Sequence, residues 1–217
     1  MSTSPFITPF ASLPETLPIF PLPGAVVLPG AELPLNIFEP RYLNMINDAL
    51  GGHRMIGMIQ PDPAAASESE VFRTGCAGRI TQYRETADCR IEMVLTGVCR
   101  FDLVEELSTT RGYRMIVPDW SRFSEDYADR GGLLEGRHAQ LMETLRGYFE
   151  AKGFETDMEM LQRLSVMRLV DSLTMALPFD IGEKQMLLET VAAEDRCDKF
   201  IGLIEGDFDI PDSATRH

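Results

Sequence analysis

Hydrophobic residues follow two patterns along the chain, short runs of β type in the first half and helical spacing in the second. The first runs are Leu17 to Phe20 and Glu32 to Ile37, and they lie in a stretch with frequent prolines. Proline fixes φ and cannot donate a backbone hydrogen bond inside a helix. The stretch is therefore predicted to consist of extended segments joined by turns.

A helix is predicted directly after this stretch. Pro40 suits the first helical position, where its missing N–H is not needed and its fixed φ is already helical. Apolar residues such as Leu43 and Ile46 then recur at the spacing of one buried helix face, and the pair Gly51-Gly52 ends the pattern.

Further apolar runs predict a set of β-strands. Met55 to Ile59 is continuously apolar, which is typical of a strand buried on both faces. Thr96-Gly97 is predicted to be a turn between two strands, and Pro118 is predicted to end the last strand. The other predicted strands are Thr74 to Gln82, Arg90 to Leu95, Arg100 to Val104 and Tyr113 to Val117. Short strands with regular turns and one intervening helix favour a small, mostly antiparallel β-barrel.

The second half is predicted to be a bundle of helices. A first helix ends at Lys152-Gly153, and Thr156 to Glu159 is a capping-box pattern that opens a long helix reaching about Leu177. Pro178 ends that helix, Asp180 to Glu183 caps the next one, and a last helix covers Ala193 to Glu205. The predicted organisation is a flexible lead-in, a barrel subdomain, a connector, a helical bundle and a flexible tail, at residues 1–14, 15–120, 121–132, 133–208 and 209–217.

Charge and composition narrow the classes of function. The formal net charge is −14, so the surface repels phosphate backbones and anionic lipid, and no run of Lys or Arg offers a local exception. We therefore expect neither nucleic-acid nor membrane binding. No apolar run is long enough to span a bilayer, no export signal is visible at the amino terminus, and the four cysteines lack C-x-x-C spacing. These features favour the cytoplasm.

Two adjacent segments, Pro21 to Gly30 (PLPGAVVLPG) and Leu33 to Tyr42 (LPLNIFEPRY), carry a resemblance to a known family. They closely resemble the opening of the amino-terminal, substrate-recognising domain of ATP-dependent Lon proteases, which also occurs in free-standing bacterial proteins and in cereblon. The resemblance extends over about Leu17 to Phe208. It implies an α+β fold, with a barrel like that of pseudouridine synthases and archaeosine transglycosylases (PUA-like) followed by a helical bundle, and it implies binding of protein substrates.

The residues offer no recognisable catalytic, cofactor or metal site. None of the three lysines, Lys152, Lys184 and Lys199, follows a glycine, so a phosphate-binding loop of the ATPase type is not present in these residues. The lysines have the setting of solvated surface residues and not of a Ser-Lys dyad. The three histidines share no ligand spacing with one another or with the cysteines. Acidic pairs such as Glu125-Asp126 are predicted to be solvated charge.

These observations favour a non-enzymatic module that binds exposed apolar or unfolded segments of other proteins, with a protease or chaperone as a further partner. Its partner-binding candidates are Phe38, Arg41, Tyr42, Trp120, Phe123 and Tyr127. The last three are expected in an adaptable apolar groove between barrel and bundle. The first three have an alternative structural role in joining the barrel to its first helix. The main alternative is a small-molecule sensor of unknown ligand. Two others are a nucleic-acid binder, against which the net charge of −14 argues, and a stand-alone peptidase.

Overall fold

The structure, a computed structural model, describes residues 8–67, 69–127 and 134–208. The chain divides into two compact units, with the boundary between residues 128 and 129. The predicted tail at 209–217 lies outside the described residues, as do residues 1–7 of the predicted lead-in and 128–132 of the predicted connector.

The first unit is built on a six-stranded sheet in the order β2-β5-β4-β3-β1-β6. The strands are β1 (Leu17–Pro21), β2 (Glu32–Ile37), β3 (Met55–Ile59), β4 (Thr74–Glu85), β5 (Ile91–Leu107) and β6 (Arg114–Asp119). β6 pairs with both β1 and β5, so five of the strands form a closed cycle of pairings, and β2 is attached to β5 outside it. Only β1 and β3 among these pairs are parallel. The prediction of a mostly antiparallel sheet is confirmed.

The core of this unit lies against β3, whose five residues are all buried, as its continuous apolar run predicts. Leu17, Ile19 and Phe101 pack into the same cluster. Helix α1 (Pro40–Leu50) has proline in its first turn and Gly51 at its carboxyl end, which confirms the predicted helix. Its buried face places Met45 and Ile46 inside the unit.

The predicted turn at Thr96-Gly97 is wrong, because β5 continues through it as one strand from Ile91 to Leu107. Gly97 lies where another segment crosses the strand. A Cβ atom at this position would be 2.0 Å from the carbonyl oxygen of Leu28. The Gly97 N–H donates to the Ala31 carbonyl at 2.9 Å, and its carbonyl accepts from the Gly30 N–H at 2.9 Å. The glycine thus permits a close backbone approach and not a reversal of the chain.

The sequence predicts that Pro118 ends the last strand. In the structure Pro118 lies inside β6, opposite Leu103. The β5–β6 pairing shifts register between Leu103 and Glu105. Proline is tolerated beside such an irregularity because the ladder there does not require its missing N–H.

The second unit is helical, as predicted. Its helices are α2 (His138–Lys152), α3 (Met158–Gln162), α4 (Val166–Ala176), α5 (Ile181–Glu189) and α6 (Ala193–Phe208). Gly153 ends α2 in the left-handed conformation with φ of 68°, and Asp180 and Glu183 form the predicted capping box on α5. No helix of the described ranges combines the length and apolarity that crossing a membrane requires.

The single helix predicted from Thr156 to about Leu177 is in fact the two helices α3 and α4. Asp157, and not Thr156, caps α3 by accepting a hydrogen bond from the Met160 N–H at 3.0 Å. Ser165 caps α4 by accepting from the Arg168 N–H. A serine side chain that bonds the backbone in this way offers an alternative to continued helix, and apolar spacing alone does not reveal it.

Candidate functional site

Two of the six candidate residues, Tyr42 and Phe123, are buried in the first unit. Tyr42 is 6% exposed and its ring packs on Phe20 with a centroid separation of 4.2 Å. Phe123 is fully buried. The Phe123 ring is inaccessible to a partner in this conformation, whereas the small exposed part of Tyr42 lines a surface depression described below.

Phe123 packs against a buried ion pair between Arg100 and Asp126, which we call the clasp. Their side chains are both fully buried, and Arg100 Nη2 donates to Asp126 Oδ1 at 2.7 Å. The Asp126 carboxylate also accepts from the Arg100 backbone N–H at 2.8 Å. The guanidinium of Arg100 lies 4.6 Å from the Phe123 ring centroid, and that of Arg122 lies 4.7 Å from it.

The prediction that Asp126 is solvated is therefore wrong. The sequence 121–132 reads as a polar connector, yet Ser121–Tyr127 forms 3-10 turns held on β5 by this clasp. Arg100 looks like a strand-surface arginine in the sequence. Its pairing with Asp126, a residue 26 positions away, accounts for its burial.

Trp120 and Tyr127 also make packing contacts within the first unit. The Trp120 indole N–H donates to the Pro14 carbonyl at 3.2 Å, and its ring meets Phe101 edge-on at 5.8 Å. Tyr127 meets Phe10 edge-on at 5.5 Å. Burial raises the pKa of Tyr127, which keeps its hydroxyl protonated at neutral pH.

Phe38 and Arg41 are the candidates that the structure leaves exposed. Phe38 is 62% exposed at the end of β2, with the Arg90 guanidinium 5.5 Å from its ring centroid. Arg41, in the first turn of α1, has a side chain that is 54% exposed. Arg41 lines one of two surface depressions, and Phe38 follows two residues after Asn36, which lines the other.

The first depression, which we call the ribbon groove, has a volume of about 540 Å³ and crosses the ribbon formed by β2, β5 and β4. The register places Pro34 opposite Val94 and Val94 opposite Gln82. The next row of the same face carries Asn36, Glu92 and Arg84, of which the last two form an ion pair. Its lining residues are Pro34, Leu35, Asn36, Gln82, Tyr83, Arg84, Glu92, Met93 and Val94.

The edge of β2 forms one side of this ribbon, since β2 pairs with β5 alone among the described strands. In an antiparallel pair, residues alternate between bonding their partner and pointing their N–H and C=O away from it. Pro34 has no N–H, so it suits the outward positions, and Glu32 and Asn36 share its alternation. The open edge therefore presents carbonyl acceptors along with the N–H groups of Glu32 and Asn36.

The second depression, which we call the arginine pocket, has a volume of about 250 Å³. It is lined by Pro21, Arg41, Tyr42, Pro61, Ser69, Val71, Gly112, Tyr113 and Arg114. Arg114 is held by Glu106 through Nε at 2.8 Å and Nη2 at 2.6 Å, and its Nη1 donates to the Ser69 carbonyl at 2.8 Å. This ion pair lowers the pKa of Glu106 through the hydrogen bond from Arg114.

Two tyrosines, Tyr42 and Tyr113, also line the arginine pocket. The Tyr113 hydroxyl donates to Asp48 at 2.8 Å, and burial together with this bond raises its pKa. Burial also raises the pKa of Tyr42. Both phenols therefore stay protonated and serve as donors at neutral pH. In the ranges that the structure describes, no group of three or more His, Cys, Asp or Glu could hold a metal ion.

Comparison with known proteins then decides the family. The model of the ATP-dependent protease La (LON) substrate-binding domain matches residues 16–206. The chain belongs to this family. The resemblance read from Pro21 to Tyr42 is thereby confirmed over most of the chain.

Curated relatives of this Lon-family chain are Lon proteases. That of Dictyoglomus thermophilum is 24% identical over 209 residues, which cover 94% of this chain and 26% of the relative. That of Haemophilus influenzae is 26% identical over 201 residues, covering 90% of this chain and 25% of the relative. The chain thus spans about a quarter of the length of these relatives.

Solved structures support the same fold. A Lon N-terminal domain protein from Xanthomonas campestris is similar with a TM-score of 0.64 and 22% identity, covering 86% of this chain and 97% of its own. The N-terminal domain of a Mycobacterium avium complex Lon protease gives a TM-score of 0.67 and 17% identity, covering 88% of this chain and 98% of its own. The mixed fold of six-stranded sheet and helices is therefore that of Lon N-terminal domains.

Proposed function

We propose that this Lon-family chain is a non-catalytic module that binds exposed apolar or unfolded segments of other proteins, and that the ribbon groove receives them. The family match supports the substrate-binding part of this proposal, because it is the substrate-binding domain of Lon that matches. The ribbon groove supports the choice of surface, because the 51% exposed Tyr83, apolar lining and an open strand edge occur together there, with Phe38 two residues beyond the lining residue Asn36.

The ribbon groove suits an extended polypeptide. Its volume of about 540 Å³ lies in the range of ordinary ligand sites. Pro34 and Val94 supply apolar lining, and Phe38 at the end of β2 is 62% exposed. An unfolded segment has free backbone donors and acceptors, so it can bond the outer edge of β2 while alternate side chains contact the groove.

Pro34 limits this pairing. It removes one donor from the middle of β2, so a client strand cannot form an uninterrupted ladder there. We expect apolar contact to supply most of the affinity, with backbone pairing setting orientation. Such binding is tolerant of client sequence and readily reversible, as a module that handles many unfolded segments requires.

The non-catalytic part rests on the sequence. No lysine of this chain follows a glycine, so a Gly-Lys-Ser/Thr phosphate loop is not found in its 217 residues. The family match covers a substrate-binding domain and not a catalytic one. We infer that a protease or chaperone acts on the bound clients, and that this happens in the cytoplasm.

The test is fluorescence anisotropy of labelled, permanently unfolded casein with the full chain, in the absence of ATP. We expect saturable binding that weakens about fivefold or more when Phe38 and Val94 are both changed to serine, because apolar contact is lost. Val104→Ser is the matched control, since Val104 is 57% exposed on β5 and does not line the groove. Equal affinity of wild type and the double variant would refute the assignment to the groove.

A further inference from the structure

We propose that the arginine pocket binds a carboxylate that is carried next to an apolar group. This inference deepens the proposed function and rests on it, since the carboxyl terminus of a bound protein segment is the principal source of such a group. A free small carboxylic acid has the same chemistry, and the experiment below separates the two sources.

The pocket has hydrogen-bond donors left for a ligand. Arg41 contacts Glu39 through Nε at 2.9 Å and Nη2 at 2.8 Å, both on the single oxygen Oε2. Its Nη1 makes no hydrogen bond with any residue that the structure describes. Tyr42 lines the pocket, and its hydroxyl likewise has no bond to a described residue. A guanidinium nitrogen and a phenol together can bond a carboxylate.

These donors are held in place before any ligand arrives. The Arg41 guanidinium lies 4.6 Å from the Tyr42 ring centroid, and that ring is itself packed on Phe20. Arg114, on the other wall, is fixed by both oxygens of Glu106 and by the Ser69 carbonyl. Groups that are already ordered lose little conformational entropy on binding.

The walls and size of the pocket favour an apolar neighbour for the carboxylate. Pro21, Pro61 and Val71 line it beside the arginines. Its volume of about 250 Å³ accommodates one or two residues and not a folded surface. Gly112, with φ of 83°, lies directly beside Arg41: a Cβ atom added at Gly112 would be 3.5 Å from the Arg41 Cβ. A terminal residue with an apolar side chain matches this combination.

The charged groups around the arginine pocket allow a carboxylate to bind there, although the net charge of the chain is −14. The three arginines at and beside the pocket, Arg41, Arg111 and Arg114, pair with Glu39, Asp48 and Glu106. The site is therefore locally neutral, and a ligand carboxylate avoids the repulsion that it meets on the acidic surface elsewhere.

The arginine pocket and the ribbon groove are close along the chain. Asn36 lines the groove and Arg41 lines the pocket, and they are five positions apart, so their Cα atoms are at most about 18 Å apart. A client whose last residue occupies the pocket therefore needs only a few residues to reach the groove. We assign the pocket to the end of the client and the groove to the residues that precede it.

The test compares two labelled decapeptides of one apolar sequence, one with a free terminal carboxylate and one with a carboxamide. We expect the free acid to bind wild type about tenfold more tightly, because the amide is uncharged and its carbonyl bonds Arg41 more weakly than a carboxylate does. In Arg41→Gln the preference is expected to fall below about twofold. Arg146→Gln is the control, since Arg146 is exposed on α2 and its loss changes the net charge equally.

A third probe, N-acetyl-leucine, reports on the pocket without a peptide, through amide NMR shifts at Gly112 and Arg41. Equal binding of both decapeptides, weakened by Phe38→Ser, would overturn the pocket while the proposed function stands. Binding of N-acetyl-leucine that depends on Arg41, with neither decapeptide bound, would support the carboxylate site, assign it to a small acid and contradict the proposed function. Failure of all three probes would overturn both.

Discussion

At the scale of single residues, Gly97 and Asp126 show how far chain composition predicts structure. Gly97 follows a threonine between two apolar runs, and the sequence favours a turn, whereas the structure has a crossing of two backbones. Asp126 lies in a polar stretch, and the structure buries it on Arg100. At both positions the residue that determines the structure, Leu28 or Arg100, is distant in sequence, so the local sequence pattern does not reveal it. Pro40, Gly153 and the Asp180–Glu183 box were predictable because their partners are local.

Replacing Gly97 with alanine is expected to destabilise the first unit by more than about 2 kcal/mol, because the new Cβ would overlap the Leu28 carbonyl. Urea unfolding followed by Trp120 fluorescence measures this, since Trp120 is the single tryptophan of the chain and packs in the first unit. Gly51→Ala is the control, since its Cβ would come no closer than 3.5 Å to a neighbour. Similar unfolding midpoints for the two variants would contradict the crossing.

Asp126→Ala is expected to cost about 3–5 kcal/mol, because Arg100 stays buried and loses its ion-pair partner. The same urea titration checks it. Glu92→Ala, which breaks the exposed pair with Arg84, serves as the comparison and is expected to change the midpoint little. An Asp126 variant as stable as the Glu92 variant would show that the clasp does not hold the 3-10 segment.

At the scale of elements, the positions of strands and helices were largely predictable from sequence. Where one element is interrupted or continues was not. Apolar runs located β3 and α1 because burial of one face or two leaves a clear period. The same period passes unbroken through α3 and α4, since the break depends on one serine hydroxyl at Ser165. The apolar pattern also misleads at β5. This one long strand pairs with β2, β4 and β6, but its sequence resembles that of two short strands.

Ser165→Ala is expected to lower stability of the second unit by about 1 kcal/mol, because the Arg168 N–H loses its cap. Far-ultraviolet circular dichroism during thermal unfolding measures the change. Ser165→Asp is the rescue variant, since aspartate caps as well as serine. Equal loss in both variants would indicate that packing, and not capping, fixes the break between α3 and α4.

The Glu106–Arg114 pair between β5 and β6 gives a pH dependence of known sign. The pKa of Glu106 is lowered in the folded chain, so the unfolded chain binds the proton more readily. Its stabilisation is therefore present above the ordinary glutamate pKa and is lost as pH falls through the lowered value. We expect the gap in urea midpoint between wild type and Glu106→Gln to be widest near neutrality and to close in acid. A gap that is constant over this range would contradict the ion pair.

At the scale of the whole molecule, the family could be read from sequence because Pro21 to Tyr42 keeps an unusual order of prolines and aromatics. The surface proposed for binding could not be read in this way. Of the six candidates, the structure leaves Phe38 and Arg41 exposed, and it buries Tyr42 and Phe123. The ribbon groove adds Pro34, Val94 and the edge of β2, which depend on strand register and are invisible without it.

Hydrogen–deuterium exchange of the full chain, with and without unfolded casein, tests the central claim most directly. Glu32 and Asn36 point their N–H groups to the open edge of β2, so both should exchange rapidly alone and at least about tenfold more slowly with bound client. Amides of α4 should be unchanged. Saturating casein that leaves Glu32 and Asn36 unprotected, or protects another surface in their place, would contradict binding at the ribbon groove.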